Sequence, residues 1–489
     1  MKSIYKIYFI LLFMFGLTGC EKYLDVAPET QVASSSVFQT QDGALAALNG
    51  IYTSLKLKGL YGTDFAIIGD ASSDNGLIPS DREDAGANAD RMPHAYLLNL
   101  NANTTSILWD DAYVLINNTN TFLEGIESVS DMSDEAKTQA VAEARIIRAY
   151  AHFCLMQVFA QDYNFTADQT HLGVPIVTAT GASNQPERNT TSEVFNFIFQ
   201  EFNEALPDLQ NSNAIERAGE DFNFINYFAA LSLRAKIYFY TANYAAALSD
   251  ANQVINSGRY SLISQYTTGT FPSAGLGDLE FINQWTGTSI VVPESIFQLY
   301  INEAGEETTT NRSIIDIYTS NNGNAAHAIS ADLFDLYEAQ DLRLNWYKVE
   351  DTDQHVFKYP GEFGAAPDDT PYSVIRLTEL VLMKAEIEAR NGQDAVAQGL
   401  VNQITARANA SSITSTGNQL IEDIITERRK ELAFEGNRLF DLKRLQRGFI
   451  RNDCSADICT LDYPTFLYAW PIPQAEFNGN PNMIQNDGY

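Results

Sequence analysis

Residues 222–258 read F-N-F-I-N-Y-F-A-A-L-S-L-R-A-K-I-Y-F-Y-T-A-N-Y-A-A-A-L-S-D-A-N-Q-V-I-N-S-G. Apolar residues recur at helical spacing, which predicts two helices, Phe222–Tyr240 and Tyr244–Asn256, closed by Gly258. So few residues separate them that the helices must fold back on each other. Ala247 and Ala251 put small side chains where the two can cross closely. A weaker echo follows at Glu379–Arg390 and Gln393–Ala408, around Gly392. One such pair cannot bury its apolar face alone, so pairs must stack. The predicted fold class is mostly α, a platform of about four helix pairs.

Other helices carry their own start signals. Thr40 caps a helix with apolar face Leu45, Leu48, Tyr52 and Leu55, and Ser133 caps Glu135–Phe159. Thr190-x-x-Glu193 is a capping box opening Val194–Leu206. A further helix, Ile107–Ile126, carries Trp109, Tyr113, Ile116, Phe122 and Leu123. In 421–447, Ile421, Ile424, Ile425, Arg428 and Leu432 share one helical face. A guanidinium is not buried alone, so Arg428 needs a carboxylate, and Glu431 and Glu435 stand closest in sequence. Gly436 is expected to end this helix, and Arg438 and Asp441 continue the charges beyond it. These five residues predict a buried charge network that locks the C-terminal helices to the core.

Between the helical parts (40–57, 107–258 and 375–447) lie two aperiodic regions, 58–106 and 259–374, and an irregular tail, 448–489. The second region contains short β-like runs, Ser289–Val292 and Ile296–Tyr300. Together these form a loop-rich subdomain laid on the helices, so residues 20–489 read as a single domain.

Residues 1–19 read as a targeting segment: Lys2 and Lys6, then an apolar run from Tyr8 to Leu17 about half as long as a membrane span. Leu17-Thr18-Gly19-Cys20 looks like a bacterial lipobox, which implies cleavage before Cys20 and lipid attached to it. Cys154 sits in an apolar helical pattern, whereas Cys454 and Cys459 stand close together in a loop and could form a disulfide outside the cytoplasm. With 62 acidic residues against 31 basic ones, the net charge is −31, which argues against nucleic acid and other polyanions.

No HExxH, GxSxG, P-loop or GxGxxG motif is present, and the five histidines are scattered away from metal spacing. The chemistry expected is therefore recognition, without catalysis, metal or cofactor. Loops carry binding residues more often than helices do. Rings and hydrogen-bonding groups suited to binding a ligand occur there: Asp74, Asn75, Arg82 and Tyr96 in the first aperiodic region, and Trp285, Tyr300 and Trp346 in the second. The acid run Asp81–Asp90 suggests a structural Ca²⁺, although it lacks EF-hand spacing.

Several stretches together resemble the SusD/RagB family of outer-membrane nutrient-binding lipoproteins of Bacteroidetes. The residues that carry the likeness begin with Cys20, Tyr23-Leu24-Asp25 and Pro28, then Trp109-x-x-x-Tyr113 and Arg145-x-x-Arg148-Ala149-Tyr150-x-x-Phe153. Gly173-Val-Pro175 and Gly258-x-Tyr260 follow. Ile375-Arg376-Leu-x-Glu379, Glu427-Arg428-x-x-Glu431 and Phe434-Glu435-Gly-x-Arg438-x-x-Asp441 come next, and Asn480-Pro481-Asn482 and Gln485-Asn486-x-Gly488-Tyr489 close the set. The helix pair at Asn243 resembles a tetratricopeptide hairpin. The resemblance implies a tetratricopeptide-like platform with an irregular subdomain, lipid-anchored to the outer membrane and facing the exterior. It further implies a lid on a SusC-like TonB-dependent transporter that captures a glycan and does no chemistry on it. Two alternatives share the scaffold: a binder of peptides or another non-glycan nutrient, and an assembly scaffold with no small ligand. The shared motifs are structural, so no ligand contact carries over from them.

Overall fold

The computed structural model describes residues 37–78, 93–181, 185–217, 221–273, 277–282, 293–301, 314, 318, 327–350, 353–356, 358–359, 370–454, 456 and 458–489. The longer helices are α1 (Gln41–Ser54), α2 (Asp64–Ala71), α3 (Ser106–Gly125), α4 (Asp134–Phe159), α5 (Thr191–Leu209), α6 (Tyr227–Tyr240), α7 (Tyr244–Ile255), α8 (Leu377–Arg390), α9 (Asp394–Arg407), α10 (Gly417–Glu431) and α11 (Arg438–Arg444). The predicted caps form: Thr40, Ser133 and Thr190 each accept a backbone N–H through the side chain, and Thr190 and Glu193 complete both halves of the capping box. Successive helices pack as neighbours: α3 on α4, α4 on α5, α6 on α7, α7 on α8 and α8 on α9. This is the expected mostly α, tetratricopeptide-like platform.

The two best-marked hairpins repeat one turn atom for atom. In α6–α7, Thr241 N donates to Ile237 O, Ala242 N to Phe239 O and Asn243 N to Tyr238 O. In α8–α9, Asn391 N, Gly392 N and Gln393 N donate to Ile387 O, Ala389 O and Glu388 O. The middle residue is left-handed in both, with φ +57° at Ala242 and +74° at Gly392. Such a turn satisfies the last carbonyls of the first helix before the second begins.

Short strands form the irregular part. Ser295–Ile301 pairs antiparallel with Thr370–Arg376, which runs directly into α8. A four-stranded sheet joins Gly76–Leu77, Ala328–Ile329, Asp353–Val356 and Tyr347–Glu350, so the two aperiodic regions meet in one sheet.

Two local expectations change. The region 58–106 is less loop-like than its pattern implied, because α2 lies within it. Every residue of α2 is buried, so it shows no amphipathic stripe by which a sequence reading could find it. Helix α10 stops at Glu431, short of Gly436, and the chain turns through left-handed residues at Phe434 (φ +62°) and Gly436 (φ +73°). The turn packs backbone to backbone on α2: a Cβ on Gly69 would lie 2.1 Å from the Gly436 carbonyl oxygen. Gly436 N donates to Asp70 Oδ2 at 2.8 Å. Among the described residues no helix is long and apolar enough to cross a membrane. Residues 1–20 and the run Ser289–Val292 lie outside the described residues.

Candidate functional site

The charge network of 421–447 is present and buried, with different pairings from those expected. Arg428 bonds Asp441 at 2.8 Å and Glu379 at 3.1 Å, and neither Glu431 nor Glu435. Those two turn toward the strand layer. Glu431 meets Arg407 at 2.7 Å and Arg343 and Arg376 at 3.1 Å each, and accepts from Tyr266 Oη at 2.6 Å. Glu435 meets Lys358 and Arg376. Burial would raise the Glu431 carboxyl, but the guanidiniums of Arg407, Arg376 and Arg343 hold it well below the usual carboxylate range. These groups pair with one another inside the protein, so the network joins α8, α9, α10 and α11 to the strands.

Four of the residues expected to touch a ligand are also internal. Asp74 receives Arg438 at 2.7 and 2.9 Å and Arg429 at 3.2 Å. Burial pushes its carboxyl up, but those two guanidiniums outweigh it and bring the pKa to about 2. Asn75 is clamped, donating to Asp70 Oδ1 at 2.7 Å and accepting from Arg429 Nε at 2.8 Å. Tyr96 is fully buried, with the Arg451 guanidinium 4.6 Å from its ring centroid. Trp346 is buried beneath Lys358 Nζ, 4.1 Å from the ring, and edge-on to Tyr266. Asp74 and Asn75 tie the first aperiodic region to the platform, Tyr96 packs against the C-terminal tail, Trp346 is a core ring of the second aperiodic region, and none of the four lines a surface site. Arg82, Trp285 and the acid run Asp81–Asp90 lie outside the described residues. Tyr300 pairs with Pro371 through the backbone, and its side chain lies outside the described residues. Cys454 and Cys459 are disulfide-bonded, Cα to Cα 5.6 Å, and Cys154 is a buried thiol that burial pushes far above its ordinary value.

A cleft of about 480 Å³ opens elsewhere, between the segment that leaves α4 and the C-terminal tail. Gln161, Phe165, Thr170, His171 and Leu172 line one wall. Pro464, Thr465, Phe466, Gln485, Asn486 and Asp487 line the other. The walls are fixed from behind. Lys443 Nζ donates to the Gln157 and Ala160 carbonyls at the end of α4, and burial pulls its pKa down to about 7. Arg188 donates to the carbonyls of Gly173 (2.6 Å), Ile484 (3.1 Å), Leu172 (3.3 Å) and Phe159 (3.4 Å). Asn486 donates to Phe159 and Trp470, Gln485 brackets the Ile472 backbone, and Gln161 donates to Thr465 O. So many side-chain bonds to backbone hold two irregular segments in one geometry.

Rings face this cleft. Phe165 is 39% exposed and Phe466 43%, values unusual for Phe in a protein with this large a core. Phe466 is braced edge-on by Tyr489, 5.3 Å between centroids. Gly488, at φ +94°, lets that brace form, since a Cβ there would stand 2.4 Å from the Phe466 ring. Phe165 and Phe466 make an apolar rim on a wall of amides and hydroxyls. Such a surface takes a ligand with flat apolar faces and hydroxyl edges. The sequence reading passed over Phe165 and Phe466. Their signal was composition: each ring stands in a polar, helix-breaking run, D-Y-N-F-T and D-Y-P-T-F, where no helix needs it for a core.

Comparison with known proteins agrees across the chain. Residues 355–489 match the model of the SusD family, and residues 22–239 match a second family described as starch-binding, associating with the outer membrane. A SusD-like protein of Formosa agariphila is 24% identical, covering 100% of this chain and 99% of its own. A solved SusD superfamily protein from Bacteroides thetaiotaomicron superposes with a TM-score of 0.77 at 26% identity, covering 91% of this chain and 99% of its own. A structure from Bacteroides vulgatus described as a putative sugar-binding protein gives 0.74, also at 26% identity, with 92% and 99% covered.

Proposed function

Because the chain belongs to the SusD/RagB family, we propose that it is a non-catalytic glycan-binding protein of the outer membrane. Lipid on Cys20 holds it there, facing the exterior, and it passes its glycan to a SusC-like TonB-dependent transporter. The observation that carries this reading is the end-to-end likeness to family members, of which one is described as sugar-binding. Two features support it. The charge network and the anchors at Asp74, Asn75, Tyr96 and Trp346 make a rigid internal frame. The ring-rimmed cleft gives that frame a surface suited to recognition.

Affinity electrophoresis of the protein starting after Cys20, run through gels containing single polysaccharides, tests the binding. Retardation by at least one polysaccharide is expected. Uniform mobility in all of them, with binding to peptide mixtures instead, would replace the glycan with a peptide nutrient. Membrane fractionation tests the anchor: Cys20→Ala is expected to release the protein from the outer-membrane fraction. Co-purification of a barrel-sized partner with the anchored form tests the transporter.

A further inference from the structure

The cleft between residues 161–172 and the C-terminal tail is open enough, at about 480 Å³, to receive a ligand. We infer that it is a saccharide-binding subsite for a neutral sugar, with Phe165 and Phe466 as stacking platforms. The inference rests on the glycan reading above and adds a location and a charge class to it.

The size fits. A volume of about 480 Å³ lies within the range of small-ligand sites and accommodates a short oligosaccharide segment. The apolar surface fits too. An exposed phenylalanine is costly in water, and here two flank one cleft, with Tyr489 packed against Phe466. A pyranose presents C–H groups on its faces and hydroxyls at its edge, and rings standing among amides and hydroxyls match both.

The charge class follows from what lines the cleft. The lining contains no Lys or Arg, and its one carboxylate, Asp487, is exposed. The nearby cations are committed behind the walls: Arg188 to the carbonyls of Phe159, Leu172, Gly173 and Ile484, and Lys443 to those of Gln157 and Ala160. A uronate or sulfated sugar would therefore meet the Asp487 carboxylate, with only His171, whose charged form burial disfavours, as a possible countercharge, on a protein whose net charge is already −31. A neutral sugar has no such cost, and Thr170 and Thr465 hydroxyls with Asp487 can accept and donate at its edge.

The cleft also explains the last residues. Gly488 and Tyr489 seat Phe466 from behind, and Gln485 and Asn486 fix the strand of chain that carries them. The closing motif then positions one stacking ring.

The test uses the protein starting after Cys20, starch, laminarin and galactomannan as neutral probes, and alginate and polygalacturonate as acidic ones. Binding is read by affinity electrophoresis, then calorimetry on oligosaccharides of any polymer that retards it. Phe165→Ala and Phe466→Ala are each expected to weaken a neutral ligand at least about tenfold. Phe165→Trp, which keeps a ring, should retain or improve binding, and this variant separates stacking from a loss of fold. Melting temperatures of all three should stay close to that of the parent, because both rings stand at the surface outside the main core. If the parent binds a neutral glycan and both Ala variants bind it equally well, the subsite is wrong and the glycan reading stands. Binding restricted to the acidic polymers overturns the charge class. If the parent binds none of the five polymers, the glycan reading and the subsite fall together.

Discussion

Asp74 shows how a residue that looks functional in sequence becomes structural in three dimensions. An acid in a glycine-rich, aperiodic stretch invites a ligand, but two arginines 355 and 364 residues later claim it. Nothing near Asp74 in sequence announces those partners, whereas Arg428 could be read as buried because its own helix face is apolar. Even there the need for a carboxylate was legible and its identity was not, since Glu379 comes from another helix. Removing one partner of such a pair strands the others, so Asp74→Asn is expected to cost about 3–5 kcal/mol in urea unfolding. An unchanged midpoint would refute the ion pair. Its pH signature follows from a folded pKa of about 2, below the value near 3.9 expected when unfolded. The stability from Asp74 is fully present above about pH 4 and is lost as pH falls toward 2, a loss that Asp74→Asn should lack. Trp346→Ala separates core from site: a loss of about 3–5 kcal/mol with glycan affinity unchanged is expected, and a loss of affinity at constant stability would return Trp346 to the ligand.

At the scale of elements, short-range signals read well. Thr40, Ser133 and Thr190 cap the helices they were expected to cap, because a cap bonds a backbone N–H only a few residues away. The α6–α7 and α8–α9 hairpins were legible for the same reason. Helix α2 was not, because it is buried on every side and periodicity needs one wet face. The end of α10 was misplaced because left-handed Phe434 is sustained by tertiary packing against α2 and the strand layer. The two hairpin turns provide a matched test. Ala242 holds a left-handed conformation that costs a non-glycine residue about 1 kcal/mol, and its counterpart is Gly392. Ala242→Gly is expected to raise stability by up to about 1 kcal/mol, and Gly392→Ala, with open space around it, to lower it by about 1 kcal/mol. Thermal unfolding of the two variants would contradict the shared turn if they moved in the same direction.

For the whole molecule, fold and family could be read from the chain because their residues are spread along it in order, from Cys20 to Tyr489. The site could not. Ring exposure is a property of the assembled surface, and Phe165 and Phe466 are distant in sequence yet line one cleft. The resemblance did not help, because its motifs serve the frame: Arg428, Glu431 and Glu435 bond each other's neighbours, and Gly488 and Tyr489 support a ring from behind. A rigid frame built from buried charge, carrying a wet rim of rings and hydroxyls, is suited to holding a ligand without changing it. Calorimetric titration of the protein starting after Cys20 with neutral oligosaccharides tests this most directly. Saturable binding, with every sugar recovered chemically intact, is the predicted result. Cleavage of the sugar, or saturable binding of peptides with no heat from any oligosaccharide, would contradict it.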